Sequence, residues 1–184
     1  MTVKNTDTKV ITGKVRLSYC HVFNPQTDDN GEIKYSTAIL IPKGDKETLK
    51  KIKAAVEAAK ELGKNKWGGK IPGNLKTPLR DGDEERGDDE VYKGHYFLNA
   101  SSRQKPGIVD KNLKEIIDST ELYSGCYARV SLNFYAYDAK GNRGIAAGLN
   151  NLQKVADGDY LGGRSRAEDD FEAIEDDEDD DFLG

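Results

Sequence analysis

Sulfur and aromatic nitrogen are scarce in this chain: two cysteines, one methionine, one tryptophan and two histidines in 184 residues. Cys20 and Cys126 are only two in number, which in a cytosolic protein points to free thiols, and they form no CxxC pair for zinc. Cys20 and His21 are adjacent, and neighbours on a strand point to opposite faces. No HxxxH spacing is present either, so neither a metal nor a cofactor is expected. No apolar run approaches the ~18–20 residues a membrane helix needs, so no membrane partner is expected. The N-terminal MTVKNTDTKV lacks the apolar core of a secretory signal. The expectation is a cytoplasmic protein with free thiols. Nucleophile–base motifs, a phosphate-cradling glycine loop and a GxSxG elbow are also absent from the sequence.

The last scarcity is local: beyond Arg166 there is no lysine or arginine, while Ala167–Gly184 holds eleven acids, seven of them in EDDEDDD. The overall charge of −5 therefore conceals a body of 28 basic and 22 acidic residues, net +6, joined to a tail of −11. Seven of the body's acids crowd into DGDEERGDDE, 81–90, which makes the remaining surface more basic still. A basic body with an acidic extension suits a polyanionic ligand. The simpler reading, a tail that only adds solubility, stands beside it.

Periodicity organises the body. KVITGKVRLSYCHVF, 9–23, reads as a strand in which Val15, Leu17 and Tyr19 alternate with Lys14, Arg16 and Ser18. NPQTDDNG, 24–31, is a turn with an Asn-Gly hairpin signal, and EIKYSTAILIP, 32–42, is the returning strand. A helix is predicted over 45–62, capped by Asp45 and ended by Gly63, with Leu49, Ile52, Val56 and Ala59 as its apolar stripe. Residues 63–90 form a long irregular loop; 91–103 and 123–138 are strands, with a short helix near 112–118 between them. After the AKGNRG turn, 144–155 pairs back as a last strand. About five strands and one packed helix predict a mainly β fold: an OB-fold-like antiparallel five-stranded barrel over 1–164, and a disordered acidic tail over 165–184. An antiparallel sandwich is the alternative.

Strand faces locate the candidate chemistry. Even positions of 127–137 are apolar, whereas odd positions give Tyr127, Arg129, Ser131, Asn133, Tyr135 and Tyr137. On 91–103, Lys93, His95, Phe97, Asn99, Ser101 and Arg103 share one face. Aromatic rings on a basic strand face suit unpaired bases, which stack for roughly 1–3 kcal/mol each whatever their identity. Lysines and arginines would track the phosphates. The predicted DNA contacts are Tyr127, Arg129, Tyr135, Tyr137, Lys93, His95, Phe97, Arg103, Trp67, Lys66, Lys14 and Arg16. The competing reading packs the tyrosines under helix or loop with their hydroxyls at the surface, and for Trp67 a plug that pins the long loop is an equal alternative.

GKVRLSYCHVFNP (13–25), KYSTAILIPK (34–43), WGG (67–69), LRDGDE (79–84), YKGHYFLNAS (92–101), YSGCYARVSLNFYAYD (123–138) and GIAAGLNNLQKVADGDYLGGR (144–164) resemble, in order, the tailed-phage single-stranded-DNA-binding proteins. The resemblance implies an OB-fold core coating single-stranded DNA in phage replication or recombination, in the host cytoplasm, without catalysis. It also implies an acidic tail with a terminal aromatic that contacts replication proteins. Asp179, Asp180, Asp181 and Phe182 match that tail, although Leu183 and Gly184 follow the ring. Homo-oligomeric or cooperative assembly on DNA is a further expectation. Two other function classes compete: a metal-dependent nuclease using Asp81, Asp83 and Glu84, and a protein whose tail mimics nucleic acid.

Overall fold

A computed structural model describes residues 4–161 and 171–174. Within the expected tail only 171–174 are described, exposed and without regular structure; the expectations for Asp179, Asp180, Asp181 and Phe182 lie outside the described residues.

Among the described residues, eight strands and two α-helices follow in the order β1 (Lys9–Ile11), β2 (Val15–Thr27), β3 (Ile33–Pro42), α1 (Lys46–Leu62), β4 (Arg80–Asp81), α2 (Gly82–Glu85), β5 (His95–Ser102), β6 (Gly107–Val109), β7 (Tyr127–Ala139) and β8 (Asn142–Ala156). Short 3-10 turns cover Asn5–Thr8 and Lys64–Trp67. Pairing runs from β7 to β2, β3, β5 and β8 and back to β7, the circuit of an OB-like barrel. Two of its seams are thin: β2–β7 and β5–β8 each have two paired positions. The barrel is accordingly partly open. The expected all-antiparallel order fails where β8 meets β5 and β6, both parallel pairings, because β7 intervenes and brings the chain back in the same direction.

The predicted helix forms with its expected ends. Asp45 Oδ1 accepts from the Thr48 amide at 3.1 Å, satisfying one of the free donors of the first turn. Leu49, Ile52, Ala55, Val56 and Ala59 are buried. Gly63 is needed for close approach: a Cβ there would lie 2.2 Å from that of Ala136 on β7. β7 alternates as the sequence predicts, with Ala128, Val130, Leu132, Phe134 and Ala136 buried. It turns into β8 through Lys140 and Gly141, both at positive φ, the geometry that a two-residue hairpin favours.

Three local expectations are corrected. The single strand over 9–23 breaks between Ile11 and Val15, where the Gly13 amide donates to the Thr48 hydroxyl and ties the chain to α1. The alternation fails at Tyr19, which sits at φ +46 in a bulge between Ser18 and His21. No helix forms over 112–118: the Asp110 side chain accepts from the Asn112 and Lys114 amides, and this local turn outcompetes helix.

Candidate functional site

The outer faces of β2, β3 and β5 turn away from the main core; Ala38, Leu40 and Phe97 pack with Tyr92 in a small second cluster, and the rest stays open. These faces form the floor of an open groove of about 580 Å³. Small polar residues, Ser36 on β3 with Asn99 and Ser101 on β5, keep this floor flat. Tyr19, His21 and Gln26 rise from β2, and Tyr137 stands at the β7–β8 end. The long loop supplies the other wall through Lys76, Thr77, Pro78, Arg80 and Arg86. Lys76 is fixed there by backbone hydrogen bonds to Arg143 and Ile145 at the start of β8. Of the described residues lining the groove, none is Asp or Glu. Lys34, Lys76, Arg80 and Arg86 give it a positive field.

One end of the groove carries a preorganised aromatic–arginine pair. The Tyr19 ring is 57% exposed, and its left-handed backbone holds it clear of the sheet. Arg86 donates to the Tyr19 hydroxyl at 3.0 Å, and its guanidinium lies 5.7 Å from that ring and 4.5 Å from the buried Tyr92 ring. The hydrogen bond to Tyr19 raises the Arg86 pKa further above its ordinary value. A non-glycine residue at positive φ that exposes an aromatic ring marks a candidate binding position. Farther along, the Arg80 guanidinium covers the Phe97 ring at 5.4 Å and pairs with Glu85 through Nε at 2.9 Å.

Of the contacts predicted from sequence, Tyr137 lines this groove and the others do not. Lys14 and Arg16 lie over the Tyr127 ring at 4.8 and 5.5 Å. Arg16 also donates to the Gly125 and Asp159 carbonyls, and Arg129 donates to that of Thr12. That cluster fastens the segment after β8 to the barrel. Tyr135 is exposed and borders a separate hollow with Lys66. Lys93 pairs with Glu90 at 2.9 Å, His95 Nδ1 sits 2.6 Å from the Lys93 carbonyl, and Arg103 pairs with Glu32.

Two rings are withdrawn from the candidate list altogether. Trp67 is 7% exposed and donates from Nε1 to the Tyr137 carbonyl at 3.2 Å, so it pins the long loop to β7. Phe97 is buried edge-on against Tyr92 at 5.1 Å, beneath Arg80. Its strand face is outward, but the loop folds over it.

Tyr19, His21, Lys34, Ser36, Lys76, Arg80 and Arg86 line the groove without having been singled out from the sequence. The alternation Lys34, Ser36, Ala38 opposite Ile39 and Ile41 was a usable signal for β3. Nothing local marks the loop residues, which reach the groove only through the tertiary fold. Two of the three nuclease acids are otherwise engaged: Asp81 and Asp83 hold Lys43 Nζ at 2.8 and 2.7 Å, and that ammonium keeps both carboxyls below the usual range. Among the described residues, no three His, Cys, Asp or Glu side chains gather in a metal-binding group.

This arrangement, a flat acid-free groove on the second and third barrel strands with a stacked ring at its end, lies where OB-folds take oligonucleotides. Residues 8–183 match the family described as Enterobacter phage Enc34, ssDNA-binding protein. The chain belongs to this family. A relative from Acyrthosiphon pisum secondary endosymbiont phage 1, protein p50, is 31% identical over 187 residues, spanning 95% of this chain and 98% of its own. The structure of the family's single-stranded DNA-binding protein from bacteriophage Enc34 in complex with ssDNA is 26% identical. It superposes with a TM-score of 0.74, covering 88% of this chain and 96% of that one. The gp2.5 single-stranded DNA-binding protein of bacteriophage T7 is 15% identical with a TM-score of 0.61 over 88% of this chain and 91% of its own, a likeness of fold.

Proposed function

We propose that this chain is a non-catalytic single-stranded-DNA-binding protein that holds the strand in the groove over β2, β3 and β5. The observation that carries the reading is the Tyr19–Arg86 pair at the end of an acid-free groove. Tyr19 offers its exposed face to a base, Tyr137 offers a second ring, and Lys34 and Lys76 meet phosphates. Neither stacking nor backbone charge reads base identity, so the binding is sequence-independent. The flat floor of Ser36, Asn99 and Ser101 admits any base edge.

The finer expectations complete the proposal. The protein coats phage DNA in replication or recombination within the host cytoplasm. Its acidic tail competes with DNA for the basic body and, once displaced, offers Phe182 to a replication or recombination protein.

Titrating a labelled oligonucleotide by fluorescence anisotropy, on the full chain and on one ending at Arg166, tests this. Saturable, salt-sensitive binding that strengthens at low salt when the tail is removed is expected. Absence of binding, or binding indifferent to salt, overturns the proposal.

A further inference from the structure

Beside the groove, across the β4–β5 edge, lies a second basic hollow of about 410 Å³, lined by Lys43, Lys46, Leu49, Lys50, Lys53 and Tyr96. No acid lines it among the described residues. Elsewhere α1 neutralises its lysines by ion pairs one turn away: Lys51 with Glu47, Lys60 with Glu57, and Lys64, just past the helix, with Glu61. Lys46, Lys50 and Lys53 make no ion pair among the described residues. They sit at i, i+4 and i+7, so they form one row on one face, about 10 Å long at 1.5 Å per residue.

This row contradicts local stability twice. Lys46 and Lys50 stand in the first turns of the helix, where the macrodipole disfavours cations. Lysines three and four residues apart also repel one another. A segment that breaks local rules without compensation is expected to serve a function.

The hollow and the groove flank the β4–β5 edge from opposite faces of the sheet: Arg80 pairs with Phe97, on the groove side, and Asp81 with Tyr96, whose ring turns to the α1 side. Arg80 lies over the Phe97 ring, and Lys43 lies 5.1 Å from the Tyr96 ring. Lys43 also holds Asp81 and Asp83, masking the acids that would otherwise repel a polyanion at this crossing. We infer that the lysine row of α1 is a second phosphate-binding site, which takes the nucleic-acid backbone where a strand longer than the groove leaves it past Arg80. This inference rests on the groove reading and extends it.

The test compares two oligothymidylates, of about 8 and about 30 nucleotides, on the full chain and on a K46Q/K50Q/K53Q variant, each at several salt concentrations. Three added phosphate contacts steepen the logarithmic salt dependence by about 2, at roughly 0.7 per contact on single strands. The wild type is expected to show that steeper slope on the long strand only. The variant is expected to lose the difference while keeping short-strand affinity within about twofold. It should melt no lower than the wild type, because the substitution removes like-charge repulsion.

Equal slopes for both lengths in the wild type, or a difference that survives in the variant, overturns the inference and leaves the groove reading standing. Tighter binding of both lengths by the variant would show that the row holds the acidic tail, which also overturns it. Failure of the wild type to bind either strand removes both readings.

Discussion

Replacing Lys34 and Lys76 by glutamine isolates the electrostatic share of the groove. Both line it, and neither has an ion-pair partner among the described residues. Their full charge is therefore available to phosphates. Arg80 and Arg86 are partly spent on Glu85 and Asp89, the latter at 3.8 Å. At about 0.7 per neutralised phosphate, four contacts give a slope of about −2.8 in log affinity against log salt. If the arginines merely exchange carboxylate for phosphate, the slope is about −1.4. In either case the double substitution should flatten it by about 1.4. With all four contacts, raising salt from 50 to 200 mM weakens the wild type about 50-fold and the double variant about 7-fold. The assay is anisotropy on an oligonucleotide of about 8 nucleotides, short enough to stay within one OB-fold's reach. Glutamine keeps the aliphatic stem and hydrogen-bonding capacity, so packing is little changed. An unchanged slope would refute the placement of the backbone in this groove, even if affinity fell.

Tyr19→Ala should weaken short-strand binding by about 1–3 kcal/mol, roughly 5- to 150-fold, with its salt slope retained. Tyr127→Ala, whose ring lies in the separate cluster with Lys14 and Arg16, should leave that affinity within about twofold in the same titration. Trp67→Ala should cost about 3 kcal/mol of stability in urea unfolding, the scale of emptying a buried aromatic site. Trp67→Phe should keep DNA affinity intact, since its ring faces the core; a large loss would contradict its structural placement. Burial, reinforced by the charge of Cys126, pushes the Cys20 thiol from 9.0 up to about 12. A raised acid pKa keeps the folded thiol protonated while the unfolded one ionises. Stability should therefore fall as pH climbs above about 9, by up to ~1.4 kcal/mol per unit from this group. Cys20→Ala should make urea-unfolding stability less steep between pH 9 and 10; an equal steepness would reject the thiol as a contributor.

The parts of this fold that sequence reveals are those whose two faces meet different surroundings. Strand β7 has core on one side and polar neighbours on the other, so its alternation survives intact from sequence to structure. Helix α1 announces itself by stripe and cap for the same reason. The groove is different, because its floor is made of small polar residues on β3 and β5 that read as an ordinary wet sheet face. What turns that face into a site comes from elsewhere: a bulge that rotates Tyr19 outward, and a loop that carries Lys76, Arg80 and Arg86 over the sheet. Neither has a period. The same loop buries Phe97, whose outward position on its strand had marked it as a stacking ring. Strand parity states which way a side chain leaves the sheet, not what covers it afterwards. In a barrel crossed by a long loop, the covering decides whether an outward aromatic ring is a ligand platform or a satellite core. Tyr19 and Phe97 make the contrast: each lies beneath or beside an arginine of this loop, yet one ring is 57% exposed and the other 3%. Exposure in the folded state, rather than aromatic character on a basic face, is what selects Tyr19 over Phe97 as the proposed stacking ring.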